Sequence, residues 1–240
     1  MLVHLLRSHP QILCHGEVFE RSRIGHLAGQ LAGRRSADAG LESALWEQRR
    51  ESPRLFLDRI VFDPQGRDAV GFKFKTDEAF KHPWRDIAEI ISHDDRIKVI
   101  RLRRRDLIGQ FVSHQVVLRQ GAKTLLLAGE ARPQLEPIAP RPGDVVDYVD
   151  DVLRREREAD GAYRNHPQAD LWYEELAEAA AHEQLALFLG VAPRPLTSTT
   201  TKGVADGRSL LLNLPAVVDA LSRAGYPDGW WPKGGDSAAR

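Results

Sequence analysis

Apolar positions along the chain change their spacing several times, and each change marks an element. Met1-Leu2-Val3-His4-Leu5-Leu6 has the spacing of an amphipathic helix that Pro10 ends. Cys14-His15-Gly16-Glu17 reads as a turn. Leu41 to Arg50 predicts a helix, and Arg54 to Phe62 a helix followed by extended chain. From Ala69 to Lys75, Val70, Phe72 and Phe74 alternate with small or charged residues, the period-two pattern of a strand. Its Lys73 and Lys75 face solvent or a helix. Asp86 to Ser92 predicts a helix with Ile87, Ile90 and Ile91 on one side. Val99, Ile100 and Leu102 supply the partly β-branched run of a buried strand. Leu107, Ile108, Phe111, Val112, Gln115 and Val116 then return to helical spacing.

The second half continues the alternation. Four prolines between Pro133 and Pro142 make a connector. Asp144 reads as the N-cap of a helix to about Asp160, with Val145, Val149, Val152 and Leu153 inward. Ala169 to Tyr173 predicts a strand, Glu175 to Leu189 a helix closed by Gly190, and Asn213 to Leu221 a last helix. Helix, strand and helix in succession imply α/β architecture with a parallel crossover sheet. A chain of 240 residues fits one domain, here residues 1–228, followed by a frayed tail at 229–240.

Composition narrows the class. Hydrophobic residues make up 42% and charged residues 28%, a globular balance. Thirty-four basic residues offset 34 acidic ones, which argues against a general nucleic-acid binder. The single cysteine, Cys14, leaves no internal disulfide and fits a reducing cytoplasm. No apolar run approaches the ~18 residues of a membrane span, and no signal-like segment opens the chain.

Charge is concentrated in one place. Between Arg96 and Arg119 lie seven Lys and Arg residues and one acid, Asp106. A basic turn at the carboxyl end of a strand, opening onto a helix, is a place to hold an anion. The first helical amides are unpaired, the helix dipole is positive there, and an Arg fork grips two oxygens. Ser113 lies eight residues after Arg105 and could reach the same anion. Equally, the arginines read as a solvated rim and Ser113 as a helix-surface serine. Glu17 and His15 are the first residues able to take a proton from an alcohol; a surface Glu and a turn His are the plain alternatives.

The stretch Leu102-Arg103-Arg104-Arg105 with Ser113 resembles the 3′-phosphate-binding segment of the bacterial branch of the sulfotransferases, which use 3′-phosphoadenosine 5′-phosphosulfate. Leu5-Leu6-Arg7-Ser8-His9-Pro10 with His15-Gly16-Glu17-Val18-Phe19 is similar to that branch's opening helix and the turn after it. Val70-Gly71-Phe72-Lys73, Trp172-Tyr173-Glu174-Glu175-Leu176 and Leu187-Phe188-Leu189-Gly190-Val191 resemble later family segments in the same order. Lys202-Gly203 through Arg208 is similar to a late segment that closes over the 3′-phosphate, with Thr201 where the animal form has Arg.

The resemblance implies a P-loop-NTPase-like three-layer fold with a central parallel sheet flanked by helices. It implies transfer of a sulfuryl group to the hydroxyl of a carbohydrate or small alcohol. Arg105, Ser113, Lys202 and Gly203 would hold the 3′-phosphate, Tyr173 would meet adenine or belong to the core, and no metal is called for. Glu17 would be the base and His15 its rival. The family's opening strand and its Gly/Ser/Thr-rich 5′-phosphosulfate loop have no counterpart here, and no GxxxxGK[ST] replaces them, so the domain reads as N-terminally truncated. Exposed sheet edges would then favour self-association. The alternative is a catalytically silent protein that binds a nucleotide or a partner; a P-loop kinase is weaker because no Walker lysine is present. The acceptor is to be encoded in Ile24 to Arg50, in a code the residues do not reveal.

Overall fold

A computed structural model describes residues 1–19, 24, 27, 39–81, 84–121, 125–127, 129–204 and 206–226. The tail assigned to 229–240, and most of the first half of the 24–50 region, lie outside the described residues. The architecture is mixed α/β. In chain order it runs α1 (Leu2–Arg7), β1 (Ile12–Glu17), α2 (Ala39–Glu51), α3 (Pro53–Phe56) continuing as a π-helical turn (Leu57–Val61), and β2 (Ala69–Lys73). Then come α4 (Thr76–Ala79), α5 (Arg85–Ser92), β3 (Val99–Arg103), α6 (Leu107–Gln120) and β4 (Leu125–Leu127). The chain ends with α7 (Pro142–Ala162), β5 (Gln168–Trp172), α8 (Ala179–Leu189), β6 (Thr200–Lys202) and α9 (Leu214–Arg223).

The described strands form three pairs rather than one continuous sheet. β1 lies parallel to β2, β3 parallel to β5, and β4 antiparallel to β6. The parallel pairs are separated in sequence by helices, as crossover connections require.

Three apolar clusters hold these pieces. Phe19 is the hub of one, in edge or tilted contact with Phe56, Phe72, Phe74 and Trp84 at 5.4–6.0 Å between centroids. A second joins α6, α7 and α9 through Ile108, Val112, Val145, Val149, Val217 and Leu221. A third packs Leu5 and Leu6 of α1 with Ile12, Leu171 and Leu185.

Several expectations are corrected. Cys14 to Glu17 is strand, not turn. Ile12, Cys14 and His15 are buried, and the glycine that signals a turn sits at φ 76° in a bulge of the β1–β2 ladder. Arg54 to Val61 stays helical throughout. Asp144 is not the cap of α7; Pro142 occupies the first turn after Arg141, and Asp144 adds a carboxylate there that suits the dipole. α8 starts at Ala179 after a short 3₁₀ turn at Tyr173–Glu175, and Gly190 closes it at φ 79° as expected. Among the described residues no helix is long and apolar enough to cross a membrane.

Candidate functional site

The turn between β3 and α6 is built from its own backbone needs. Asp106 caps α6 by accepting from the Gly109 amide at 2.9 Å. The Glu174 carboxylate lies on the turn itself, one oxygen accepting from the Arg105 amide at 3.2 Å and the other from the Asp106 amide at 3.3 Å. A carboxylate of the chain therefore rests where the basic turn would meet an external anion.

The later loop is fastened to the same turn. Arg208 Nε donates to Asp106 Oδ1 at 2.9 Å. Gly203 is buried, and Gly207 lies directly on Gly109 of α6. This brings Lys202, at the end of β6, to Tyr173, just past the end of β5. The Lys202 ammonium is 4.7 Å from the centre of the Tyr173 ring. The Arg104 guanidinium lies 4.9 Å from the same ring. Two cations thus share one aromatic surface, each favoured by the ring's quadrupole. Among the described residues no carboxylate pairs with Lys202, and Arg104 has only Glu174, 3.8 Å from its Nε. Burial pushes the Tyr173 hydroxyl up; the Arg104 charge opposes this and Glu174 adds to it.

The residues expected from sequence are distributed as follows. Arg105 turns to β5: its guanidinium meets Glu175 at 2.5 Å and covers the Trp172 ring at 4.6 Å. Ser113 is half-buried on α6 and lines a cleft of about 2180 Å³, as Arg104 does and Arg105 does not. Lys202 and Tyr173 are brought together with Arg104 rather than with its neighbour Arg105. The sequence offers three consecutive arginines, and only the path of the chain selects among them.

Glu17 ends β1 on the wall of the same cleft, opposite Lys73 in the parallel ladder. Lys73 Nζ stands 2.5 Å from one of its oxygens and Lys75 Nζ 3.2 Å from the other. Burial alone would raise its pKa; the hydrogen bonds and charges of the two lysines outweigh burial and hold it below the ordinary carboxylate value. His15 is 1% exposed within β1 and is closed off from solvent.

A second charged group on the cleft wall was not anticipated. Arg101 and Arg103 of β3 both donate to Asp160 of α7, at 2.7–2.8 Å. Arg103 Nε also lies 3.8 Å from Glu156 Oε2. Burial above all, with the charges of Asp160 and Asp170, raises Glu156 to about 7 against the opposing charges of Arg103 and Arg101. The signal was in the sequence: Glu156 follows Val145, Val149 and Val152 at helical spacing and so lies on the inner face of α7. Among the described residues no group of three His, Cys, Asp or Glu side chains could hold a metal ion.

Chemically, Arg104, Lys202 and Tyr173 offer an anion two cations and a planar ring. Glu17 is an ionised carboxylate on the cleft wall, and Glu156 a carboxyl that can carry a proton near neutrality. No protein-family model matches the chain, and no curated protein or solved structure matches it.

Proposed function

We propose that the chain is a P-loop-like three-layer α/β protein of the sulfotransferase kind. It binds 3′-phosphoadenosine 5′-phosphosulfate and passes the sulfuryl group to an acceptor hydroxyl of a carbohydrate or small alcohol. The reading is carried by the convergence of Arg104 and Lys202 on the Tyr173 ring. These residues come from three of the segments that resemble the family, 98 residues apart at the extremes, and their side chains lie against one another. In this reading Arg104 and Lys202 grip the 3′-phosphate, Ser113 adds a hydroxyl from the cleft wall, and Tyr173 meets the nucleotide. Sulfuryl transfer depends on positioning and charge stabilisation, with a base for the acceptor. Glu17 is that base.

One observation favours a second reading, a nucleotide-binding protein without turnover. The Glu17 carboxylate is neutralised by two lysines, which makes it a weak proton acceptor.

Calorimetric titration with adenosine 3′,5′-bisphosphate tests the site. Binding should exceed that of adenosine 5′-monophosphate. Arg104→Ala and Lys202→Ala should each cost ~1.5–3 kcal/mol, the worth of a hydrogen bond to a charged group, and Arg105→Ala much less. Equal affinity for the two nucleotides, or no effect of either variant, defeats the proposal. Transfer of labelled sulfate, lowered ~10²–10⁴-fold by Glu17→Gln, separates the enzyme from the silent binder.

A further inference from the structure

A charge cluster beside the anion site takes no part in the proposed function. β3 and β5 pair in register as far as Arg103 opposite Trp172, and the next residues along the two strands are Arg104 and Tyr173 of the anion site. Alternate strand residues share a face. Arg101 and Arg103, with Asp170 opposite Arg101, therefore lie together, on the face that meets Asp160 and Glu156 of α7.

Arg101 meets Asp160 at 2.7 Å and Asp170 at 2.5 Å. Arg103 donates to both oxygens of Asp160 at 2.7–2.8 Å, and its Nε lies 3.7 Å from Asp170 and 3.8 Å from Glu156. Two guanidiniums thus serve three carboxyl groups, and the two aspartates take the close contacts. Glu156, one helical turn before Asp160, is the one left over. Its Oε2 is buried and has no hydrogen-bond partner among the described residues. Arg103 and Glu156 are only 14% and 18% exposed, so water screens this imbalance little. A buried carboxylate oxygen without a donor costs far more than a buried carboxyl. The cluster is balanced while Glu156 keeps its proton and carries one negative charge when it does not. The charges that act on Glu156 are Arg101 and Arg103 of β3, Asp170 of β5 and Asp160 of its own helix. Its value of about 7, set above all by burial, puts the change of state at neutrality.

We propose that this cluster is a proton-operated control on the anion site. With the proton on Glu156 the cluster is neutral, and Arg104, Lys202 and Tyr173 hold an anion at full strength. When the proton leaves, a negative charge appears beside the last rung of the β3–β5 pair. It repels the anion, and it draws on Arg103, the strand neighbour of Arg104. The coupling is reciprocal: a bound anion makes the proton harder to lose, so anion binding near neutrality takes up protons. This control rests on the anion site of the proposed function but not on sulfuryl transfer.

The test uses the full chain and inorganic sulfate, whose charge is constant from pH 6 to pH 8, followed through the amide resonances of Arg104, Tyr173 and Lys202. From pH 6 to pH 8 the sulfate affinity should fall about threefold or more further in the wild type than in Glu156→Gln. Histidines that titrate in this window act on both proteins alike. Asp160→Asn should match Glu156→Gln, because two carboxylates then face two guanidiniums. Both variants should keep the wild-type affinity at pH 6, which separates a charge effect from a loss of structure. The carboxyl carbon of Glu156 should titrate near neutrality, and at higher pH in saturating sulfate. The proposal is overturned if Glu156 titrates in the ordinary carboxylate range, or if sulfate leaves its titration unmoved. Sulfate bound with one pH profile in the wild type and Glu156→Gln defeats the control alone. Sulfate bound at neither pH defeats the anion site and the control with it.

Discussion

Gly207 and Gly109 touch backbone to backbone: a Cβ added to Gly207 would lie 3.0 Å from both the Cα and the carbonyl oxygen of Gly109. Gly207 has an ordinary helical φ of −66°, so what requires glycine here is space, not conformation. The contact fixes how closely the 202–208 loop approaches α6, and with it the position of Lys202.

Gly207→Val should therefore lift the loop from the helix. We expect ~1–3 kcal/mol of destabilisation by urea titration, the usual cost of overpacking. Affinity for adenosine 3′,5′-bisphosphate should fall as well. An unchanged affinity would mean that the loop does not position the anion site.

Glu174 occupies two turn amides and stands beside Arg104. Glu174→Gln removes the negative charge and leaves a hydrogen-bond acceptor. Sulfate or bisphosphate affinity should rise about fivefold, consistent with roughly 1 kcal/mol for one charge at contact distance in water. Calorimetry at fixed ionic strength measures it, and weaker binding would show that Glu174 supports the site rather than competes for it.

Glu156 should make stability fall with rising pH. Its folded pKa is raised from 4.5 to about 7, so the folded protein keeps a proton that the unfolded chain releases. Below the unfolded value both states are protonated and the contribution is complete. It is lost progressively as pH rises from about 4.5 to about 7. The full loss is ~3 kcal/mol. Glu156→Gln should flatten that window and leave the protein more stable than wild type at pH 8. Denaturant midpoints at pH 4.5, 6 and 8 decide the matter.

Arg49 is 1% exposed, donates to the Val18 carbonyl at 2.6 Å and lies between the rings of Trp46 and Trp84 at 4.3 and 4.6 Å. Arg49→Ala should cost ~2–4 kcal/mol through lost packing, cation–π contact and a hydrogen bond. Arg49→Lys should recover less than half, because an ammonium lacks the planar stacking surface. Full recovery in thermal melts would show that charge alone matters there.

The sequence made regular elements legible wherever one face of a helix or strand is apolar. β2, β3, α5 and α6 fall within four residues of where Val70–Phe74, Val99–Leu102, Ile87–Ile91 and Leu107–Val116 place them. Pairing was less legible. β4 and β6 are three residues each, too short for a period, and their antiparallel register depends on a contact between distant loops. At the site, spacing identified the basic turn but not which arginine faces Tyr173. The side-chain directions there depend on Glu174 and Glu175, about 70 positions away. Glu156 is legible from its place among Val145, Val149 and Val152, although its neighbours Arg154, Arg155 and Arg157 give the stretch the composition of a solvated face.

The bulge at Gly16 has a consequence for charge. Cys14 stands opposite Gly71 and Glu17 opposite Lys73, three steps along one strand against two along the other. Opposed residues share a side of the ladder, so Glu17 takes the parity of Cys14 although an odd number of positions separates them. A regular strand would send this carboxylate to the other side, among the rings of Phe19 and Phe72, where an ion finds no solvation. One inserted residue lets a buried strand end in a charge. Straightening the ladder with Gly16 retained would set Glu17 opposite Phe74 and turn its carboxylate to the apolar side, so the strand would have to choose between its apolar contacts and its charge; deleting Gly16 would instead leave two steps on each strand and keep Cys14 and Glu17 with their present partners.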